Sequence, residues 1–362
     1  MTAGKRSDMV VHSTTPYNAE SPRTALARSA LTSVDAFYVR NHGPIPELDA
    51  RSWRLRIDGR VDSELELSLA DLRSRFAQRE STVTLQCAGN RRSGLIDVRP
   101  IPGEAPWGPG ATGTARWTGV ALRDVLTQAG IQDGASHVEF LGADRSEEAD
   151  PPEVFGASIT RHKALSGEVL LAWAMNGAPL PTAHGAPLRV IVPGYIGARS
   201  VKWLTAVRAR RGPSENFFQA RTYRLLPPDA PVDAGRSGAG FALGAVGVNS
   251  DILVPEDGAT VAGGETEVLG YAFAGDDRHV IRVDISSDGG RTWVQAELLD
   301  AATLWAWRRW RVSVQLAPGP AEIVARAWDS AASAQPADPA ELWNPKGYVN
   351  NSWARVRLDV RG

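Results

Sequence analysis

Beyond about residue 240 the sequence loses helical periodicity and becomes a series of short alternations of apolar and polar residues. Ile281, Val283 and Ile285 alternate with polar residues, run into Asp288-Gly289-Gly290, a hairpin signal, and are followed by Trp293. Trp310, Val312 and Val314 alternate with Arg309, Arg311 and Ser313. Ile323, Ala325 and Ala327 repeat the pattern, as do Val356, Leu358 and Val360. Successive side chains of a strand point to opposite faces, so such segments bury one face each and need a second sheet to cover it. Several of them at this spacing predict a β-sandwich of immunoglobulin-like size over 245–362. Ahead of it, Pro227-Pro228-Asp229-Ala230-Pro231 and the glycines from Gly235 to Gly240 have the composition of a linker.

The chain before that linker is of another kind. Residues 1–30 are polar with some Ala and Arg, and are expected to form an arm leading into a short helix. Over 31–235 helix and strand signals are mixed. Phe37–Pro44 reads as a strand running into a turn, and Trp53–Asp58 as an alternating strand. Ser68 and Asp71 are spaced like a capping box, which predicts a helix to about Phe76. Leu122, Val125, Leu126 and Ala129 fall at helical spacing, with Gly130 as the stop. His137–Leu141 predicts a strand entering Gly142-Ala143-Asp144, and Val169–Met175 is an apolar stretch ending at the turn pair Asn176-Gly177. Leu188–Val192 predicts a strand flanked by glycine and proline turns, and the glycine loop after it can offer backbone N–H groups to an anion. Residues 99–117, rich in Pro and Gly, predict a long loop holding Trp107, Arg116 and Trp117, and long loops in compact domains are often functional. The fold class expected is α+β: a mixed α/β domain followed by an all-β immunoglobulin-like sandwich.

Within the mixed part the stretch Val83–Arg92 stands apart. Val83 and Leu85 alternate with Thr84 and Gln86, as in a strand, and Ala88-Gly89-Asn90 breaks it into a turn. Cys87 sits at the break and is the one cysteine among 362 residues. Arg91 and Arg92 follow, and a positive field favours thiolate, the form that binds metals. An inert buried thiol is the commoner fate of such a cysteine. One cysteine also excludes an intrachain disulfide and, with only six histidines, leaves no ligand cluster for zinc hydrolysis.

Composition narrows the function classes. Hydrophobic residues make up 43% and charged residues 22%, as in ordinary soluble domains. The net charge of −1 gives no global field for nucleic acid or an anionic membrane. No apolar run approaches the length of a membrane span, and the first residues lack the apolar stretch of a signal peptide. A cytoplasmic location is the expectation, or a periplasmic one where an export signal has been processed away.

Several separated motifs together resemble the sulfite oxidase family, its molybdenum domain and its dimerisation domain, from about Val34 to the C-terminus. They are Phe-Tyr-Val-Arg-Asn-His at 37–42, Leu-Gln-Cys-Ala-Gly-Asn-Arg-Arg at 85–92, Thr-Ala-Arg-Trp at 114–117, His-Gly-x-Pro-x-Arg at 184–189, Val-Pro-Gly-x-x-Gly-Ala-Arg at 192–199, Val-Lys-Trp-Leu at 201–204 and Trp-Asn-x-x-Gly at 343–347. The resemblance implies a pyranopterin dithiolene molybdenum cofactor (Mo-molybdopterin), with Cys87 as the protein thiolate on the metal, in keeping with the preference of such metals for soft ligands. It implies that Tyr38, Val39, Arg40, Asn41, His42 and Asp144 lie along the pterin. His184, Arg189, Ser200, Val201 and Lys202 would hold the pterin and its phosphate. A cationic substrate pocket would be formed by Arg40, Arg92, Trp107, Tyr223 and Lys346. Lys346 stands where the family motif carries arginine, which keeps the charge and loses the bidentate fork.

The activity so implied is oxidation of sulfite by oxygen-atom transfer, with Cys87, Tyr223, Arg40 and Arg92 at the reacting centre. The sequence has no haem-attachment motif and no cytochrome b5-like segment, so electrons are expected to leave to a separate acceptor, a cytochrome c being one candidate. A homodimer is expected through the sandwich, where Trp305, Trp307 and Trp310 exceed what one core obviously needs. Two alternatives remain open. One is reduction of nitrate or an S- or N-oxide on the same scaffold, for which Asn350-Asn351-Ser352-Trp353 speaks, and Tyr223 and Lys346 against. The other is a non-catalytic binding protein built on the sandwich, which leaves Cys87 and the clustered motifs without a reason.

Overall fold

The computed structural model describes residues 4–231 and 233–362. Two sheets organise the N-terminal part. One has the strand order Ala178–Pro179, Leu170–Met175, Thr112–Ala121, Gln78–Gln86, with Arg189–Ile191 also paired to Leu170–Met175. The other runs Leu65–Leu67, Leu55–Gly59, Leu204–Arg210, His137–Ser146, Glu153–Thr160, and is mixed because Leu204–Arg210 lies parallel to Leu55–Gly59. One apolar core joins them, including Leu55, Ile57, Val120, Leu126, Phe140 and Val207, all buried. The helix Leu122–Ala129 buries Leu122, Val125, Leu126 and Ala129, and Gly130 ends it in the left-handed region at φ 69°. The helix Leu69–Arg75 starts on the capping box, with Ser68 Oγ accepting from the Asp71 amide and the Asp71 carboxylate accepting from the Ser68 amide.

The C-terminal part is the expected sandwich. A four-stranded sheet containing Asn249–Val254, Gly264–Phe273 and Arg308–Leu316 faces a five-stranded one containing Val280–Ser286, Gly319–Asp329 and Ala354–Arg361. Val283, Ile285, Ile323, Ala325, Ala327, Val356 and Leu358 fill the space between them. Ile281 breaks the alternation and is exposed, because the pairing of Val280–Ser286 with its neighbour shifts register between Val280 and Arg282.

Several local expectations need correction. The segment before residue 30 is not only an arm and a helix. Val10–Thr14 and Tyr17–Glu20 pair as an antiparallel hairpin ahead of the short helix Arg23–Ala27. The Glu20 carboxylate fixes it by accepting the amides of Gly108 at 3.0 Å and Gly110 at 3.2 Å. Phe37–His42 is not a strand; Val39 makes one isolated bridge, to Ala19 of that hairpin. The loop after the helix Arg92–Ile96 is shorter than its composition suggests. Its strand begins at Thr112, so Arg116 and Trp117 lie in the sheet, where Trp117 is fully buried. Trp307 and Trp310 are buried within the chain's own cores, Trp307 against Tyr271 with its indole N–H donated to Ala30 O. Trp305 approaches the buried Lys163 ammonium, 4.3 Å from its ring centre. Intrachain packing accounts for these tryptophans, and none serves as an exposed patch.

Candidate active site

The strand Gln78–Gln86 delivers Cys87 to a buried position at its end. The Cys87 amide donates to Ala111 O at 2.9 Å, and the turn after it is fixed from the sandwich side by the Val349 amide donating to Ala88 O at 2.8 Å. Arg91 takes φ 63°, and that left-handed step sends it and Arg92 in different directions. Arg91 reaches the sandwich, with Nε 2.8 Å from Asp251 Oδ2 and Nη1 donating to Ser352 O at 2.8 Å. Only Arg92 faces the thiol. Arg91 is directed away, and the positive field at the thiol comes from Arg92 and Arg40. Burial pushes the Cys87 thiol up, and Arg92 and Arg40 pull it back only in part. The protein alone holds a thiol there.

Two clefts meet at Cys87, and Arg40 and Tyr223 line both. The inner cleft encloses about 620 Å³, part of it open to solvent, and brings together segments far apart in sequence. Tyr38, Val39, Arg40, His42, Asp144, His184, Arg189, Ser200, Val201 and Lys202 all line it. Asn41 does not. It accepts from the Lys202 ammonium and donates to Tyr17 O at 3.0 Å, so it acts on the wall from behind. Arg189 is tied by Nη1 to His184 O at 3.0 Å and by Nη2 to Ser200 O at 2.9 Å. Burial lowers Arg189 to about 10, which leaves it cationic at neutral pH. Burial and neighbouring cations push His42, His184 and Lys202 well down, and burial pushes Asp144 up.

His42 is sandwiched between Phe155 and Phe218, each with ring centres at 4.6 Å, and its Nε2 lies 2.8 Å from Tyr223 Oη. Burial raises the Tyr223 phenol, so it stays protonated. Lys5, which sequence reasoning passed over, adds another buried amine. Its Nζ lies 2.7 Å from His184 Nε2 and donates to Phe37 O at 2.8 Å. Burial lowers Lys5 to about 7.

This cavity fits a large anionic group. Asp144 Oδ1 and Arg189 Nε, both buried, have no hydrogen-bond partner among the described residues. Arg189, Lys202, His184 and Lys5 converge here; burial disfavours the charged forms of the last three, and an anionic partner would restore those charges. At Gly197 a Cβ would stand 2.6 Å from Tyr38 Oη, so the backbone must come closer to this wall than any other residue allows.

The outer cleft is lined by Arg92, Trp107, Tyr348, Glu104, Glu148 and the hairpin residue His12. His12 packs on Trp107 at 4.5 Å between ring centres, and its Nε2 lies 3.3 Å from Glu20. Arg92 is 3% exposed and already engaged: Nε donates to Lys346 O and Nη1 to Ala105 O, both at 2.9 Å. Lys346 does not line the cleft directly; its ammonium reaches the wall through Glu104, at 2.7 Å. Neither His12 nor the two glutamates has a local sequence signal, because each is brought in by long-range packing.

Residues 42–218 match the oxidoreductase molybdopterin binding domain, and residues 241–361 match the Mo-co oxidoreductase dimerisation domain. Sulfite oxidase of Gallus gallus is 45% identical over 95% of this chain and 76% of its own length. This chain belongs to the sulfite oxidase family. Another member, mitochondrial sulfite oxidase of Mus musculus, is 42% identical over 97% of this chain but only 65% of its own length, so that relative carries sequence outside the match. Among solved structures, the sulfane dehydrogenase SoxCD of Paracoccus pantotrophus superposes with a TM-score of 0.83 at 25% identity, over 98% of this chain and 87% of its own. The family's cofactor is Mo-molybdopterin, and an inner cleft lined by Arg189, Lys202 and His184, with Asp144 Oδ1 and Arg189 Nε lacking partners among the described residues, is consistent with that group. No helix among the described residues is long and apolar enough to cross a membrane.

Proposed function

We propose that this protein oxidises sulfite to sulfate and passes the two electrons to a separate acceptor, with a cytochrome c as the candidate. The observation that carries the proposal is the position of Cys87, the single cysteine, where a deep cationic cleft meets an outer cleft edged by Arg40 and Arg92. When bound, the molybdenum centre supplies the oxygen-atom and electron transfer. Cys87 would hold the metal, and since burial keeps the free thiol protonated, doing so would require the loss of that proton. His184, Arg189, Ser200, Val201 and Lys202 bind the pterin and phosphate by charge-assisted hydrogen bonds. Tyr38, Val39, Arg40, His42 and Asp144 border the pterin, and Asn41 orients Lys202.

Sulfite enters from the outer cleft. Arg40, Arg92 and Lys346 supply positive potential for the oxyanion, and Trp107 with His12 forms an apolar and aromatic wall against water. Tyr223 offers a hydroxyl 2.8 Å from a neutral His42, kept protonated by burial, and would donate a hydrogen bond to a substrate oxygen near Cys87. Water supplies the oxygen that sulfate carries away, and two protons leave with the two electrons. On this reading residues 31–235 bind the cofactor and residues 245–362 form the interface of a homodimer, as the match to a dimerisation domain supports.

The test is steady-state turnover of the molybdenum-loaded protein with artificial electron carriers, sulfite with an oxidant against nitrate with a reductant. Sulfite turnover well above nitrate turnover is expected. The reverse order overturns the assignment.

A further inference from the structure

The outer cleft carries two carboxylates for which the proposed reaction has no use. Glu104 sits on the loop between Arg92–Ile96 and Thr112–Ala121. Its Oε1 lies 2.7 Å from Lys346 Nζ, and its Oε2 lies 3.4 Å from Arg92 Nη2. Glu148, nearer the rim and 43% exposed, has Oε1 3.8 Å from Arg40 Nη2. Each of the three cations expected to take the substrate therefore faces a carboxylate of the chain itself.

Glu104 ties the loop to the C-terminal part through Lys346. Arg92 also makes that joint through Lys346 O and Ala105 O, using main-chain acceptors at both ends. Glu104 in addition controls the Lys346 ammonium, which has no other side-chain partner among the described residues.

We propose that Glu104 is a specificity-determining residue, an internal carboxylate that competes with the substrate anion for Lys346 and Arg92. Resting on the sulfite reading, the idea assigns the pocket a threshold. A doubly charged oxyanion with several acceptor oxygens displaces Glu104 from Lys346. A singly charged anion gains less from the cations and is repelled by the nearby carboxylates, so it is rejected. The exchange needs no net desolvation of a cation, because one carboxylate-like partner replaces another.

The experiment is calorimetric titration of sulfate, an inert dianion, into molybdenum-loaded wild type, Glu104→Gln and the double variant Glu104→Gln with Lys346→Met. Glu104→Gln is expected to bind sulfate about threefold to fivefold tighter, roughly 0.7 to 1 kcal/mol, the scale of one partly exposed ion pair. The double variant loses that gain. Chloride competes more effectively in Glu104→Gln than in wild type. A merely structural Glu104 predicts weaker binding or none of these changes. Glu104→Ser provides a second variant should Glu104→Gln melt lower. Sulfate affinity equal to or weaker than wild type in both overturns the proposal. Tighter sulfate binding in a protein that does not oxidise sulfite overturns the functional reading and leaves the competition intact.

Discussion

Lys346 places a compact ammonium where the family pattern has a guanidinium, and it is buttressed by Glu104 rather than free. Replacing it with methionine removes a cation and leaves the Glu104 carboxylate facing the cleft. Lys346→Met is therefore expected to raise KM for sulfite at least about tenfold, near 1.4 kcal/mol. Lys346→Arg should stay within a few-fold of wild type. Wild-type kcat/KM in the methionine variant, at fixed ionic strength, places Lys346 outside the substrate's reach. At this scale the motifs made the inner cleft legible: apart from Asn41, every residue expected there lines it. Side-chain direction was not legible. Arg91 and Arg92 look equivalent in sequence, yet a left-handed φ at Arg91 separates them, and nothing local forecasts that. The carboxylates of Glu104 and Glu148 escaped for a different reason: only tertiary packing brings them to the cations.

The element most consequential for the joint between the two parts is the turn that follows Gln78–Gln86. Arg91 reaches from it into the sandwich, pairing with Asp251 while both side chains are about nine-tenths buried. Removing Arg91 leaves the buried Asp251 carboxylate with only the longer contact to Arg23 at 3.6 Å, so Arg91→Met should destabilise by about 2 to 3 kcal/mol. A fall of several degrees in Tm is the check, and an unchanged Tm contradicts the clamp. The N-terminal segment is the element that sequence reasoning served least well. Its hairpin has no long alternation, and its placement depends on Glu20 capping the distant amides of Gly108 and Gly110.

That segment also carries Lys5, whose buried amine has its pKa lowered from 10.5 to about 7. Between these values the unfolded chain binds a proton that the folded chain does not. Stability of the cofactor-free protein should thus rise with pH across that window, by at most about 1.4 kcal/mol per pH unit from this group. Below the window both states are protonated and the full cost of burial is present. Urea unfolding near about pH 7.5 and about pH 9.5 should show wild type gaining on Lys5→Met. Parallel behaviour of the two proteins contradicts this.

For the whole molecule, the division into a mixed α/β part and a sandwich was legible because period-two patterning starts abruptly after a Pro- and Gly-rich stretch. The tryptophans were misleading as a sign of dimerisation, since Trp307 and Trp310 are buried within one chain. Dimer formation is tested separately: light scattering at micromolar protein should give twice the 38.8 kDa chain mass, and a monomer mass contradicts it. Both parts of the chain close around one thiol, Cys87, the proposed ligand that would hold the metal of the cofactor. X-ray absorption at the molybdenum edge of the loaded protein tests that ligation most directly. One sulfur neighbour fewer around molybdenum is expected in Cys87→Ser than in wild type, with sulfite turnover lost and the fold retained. An unchanged sulfur shell in Cys87→Ser would contradict it.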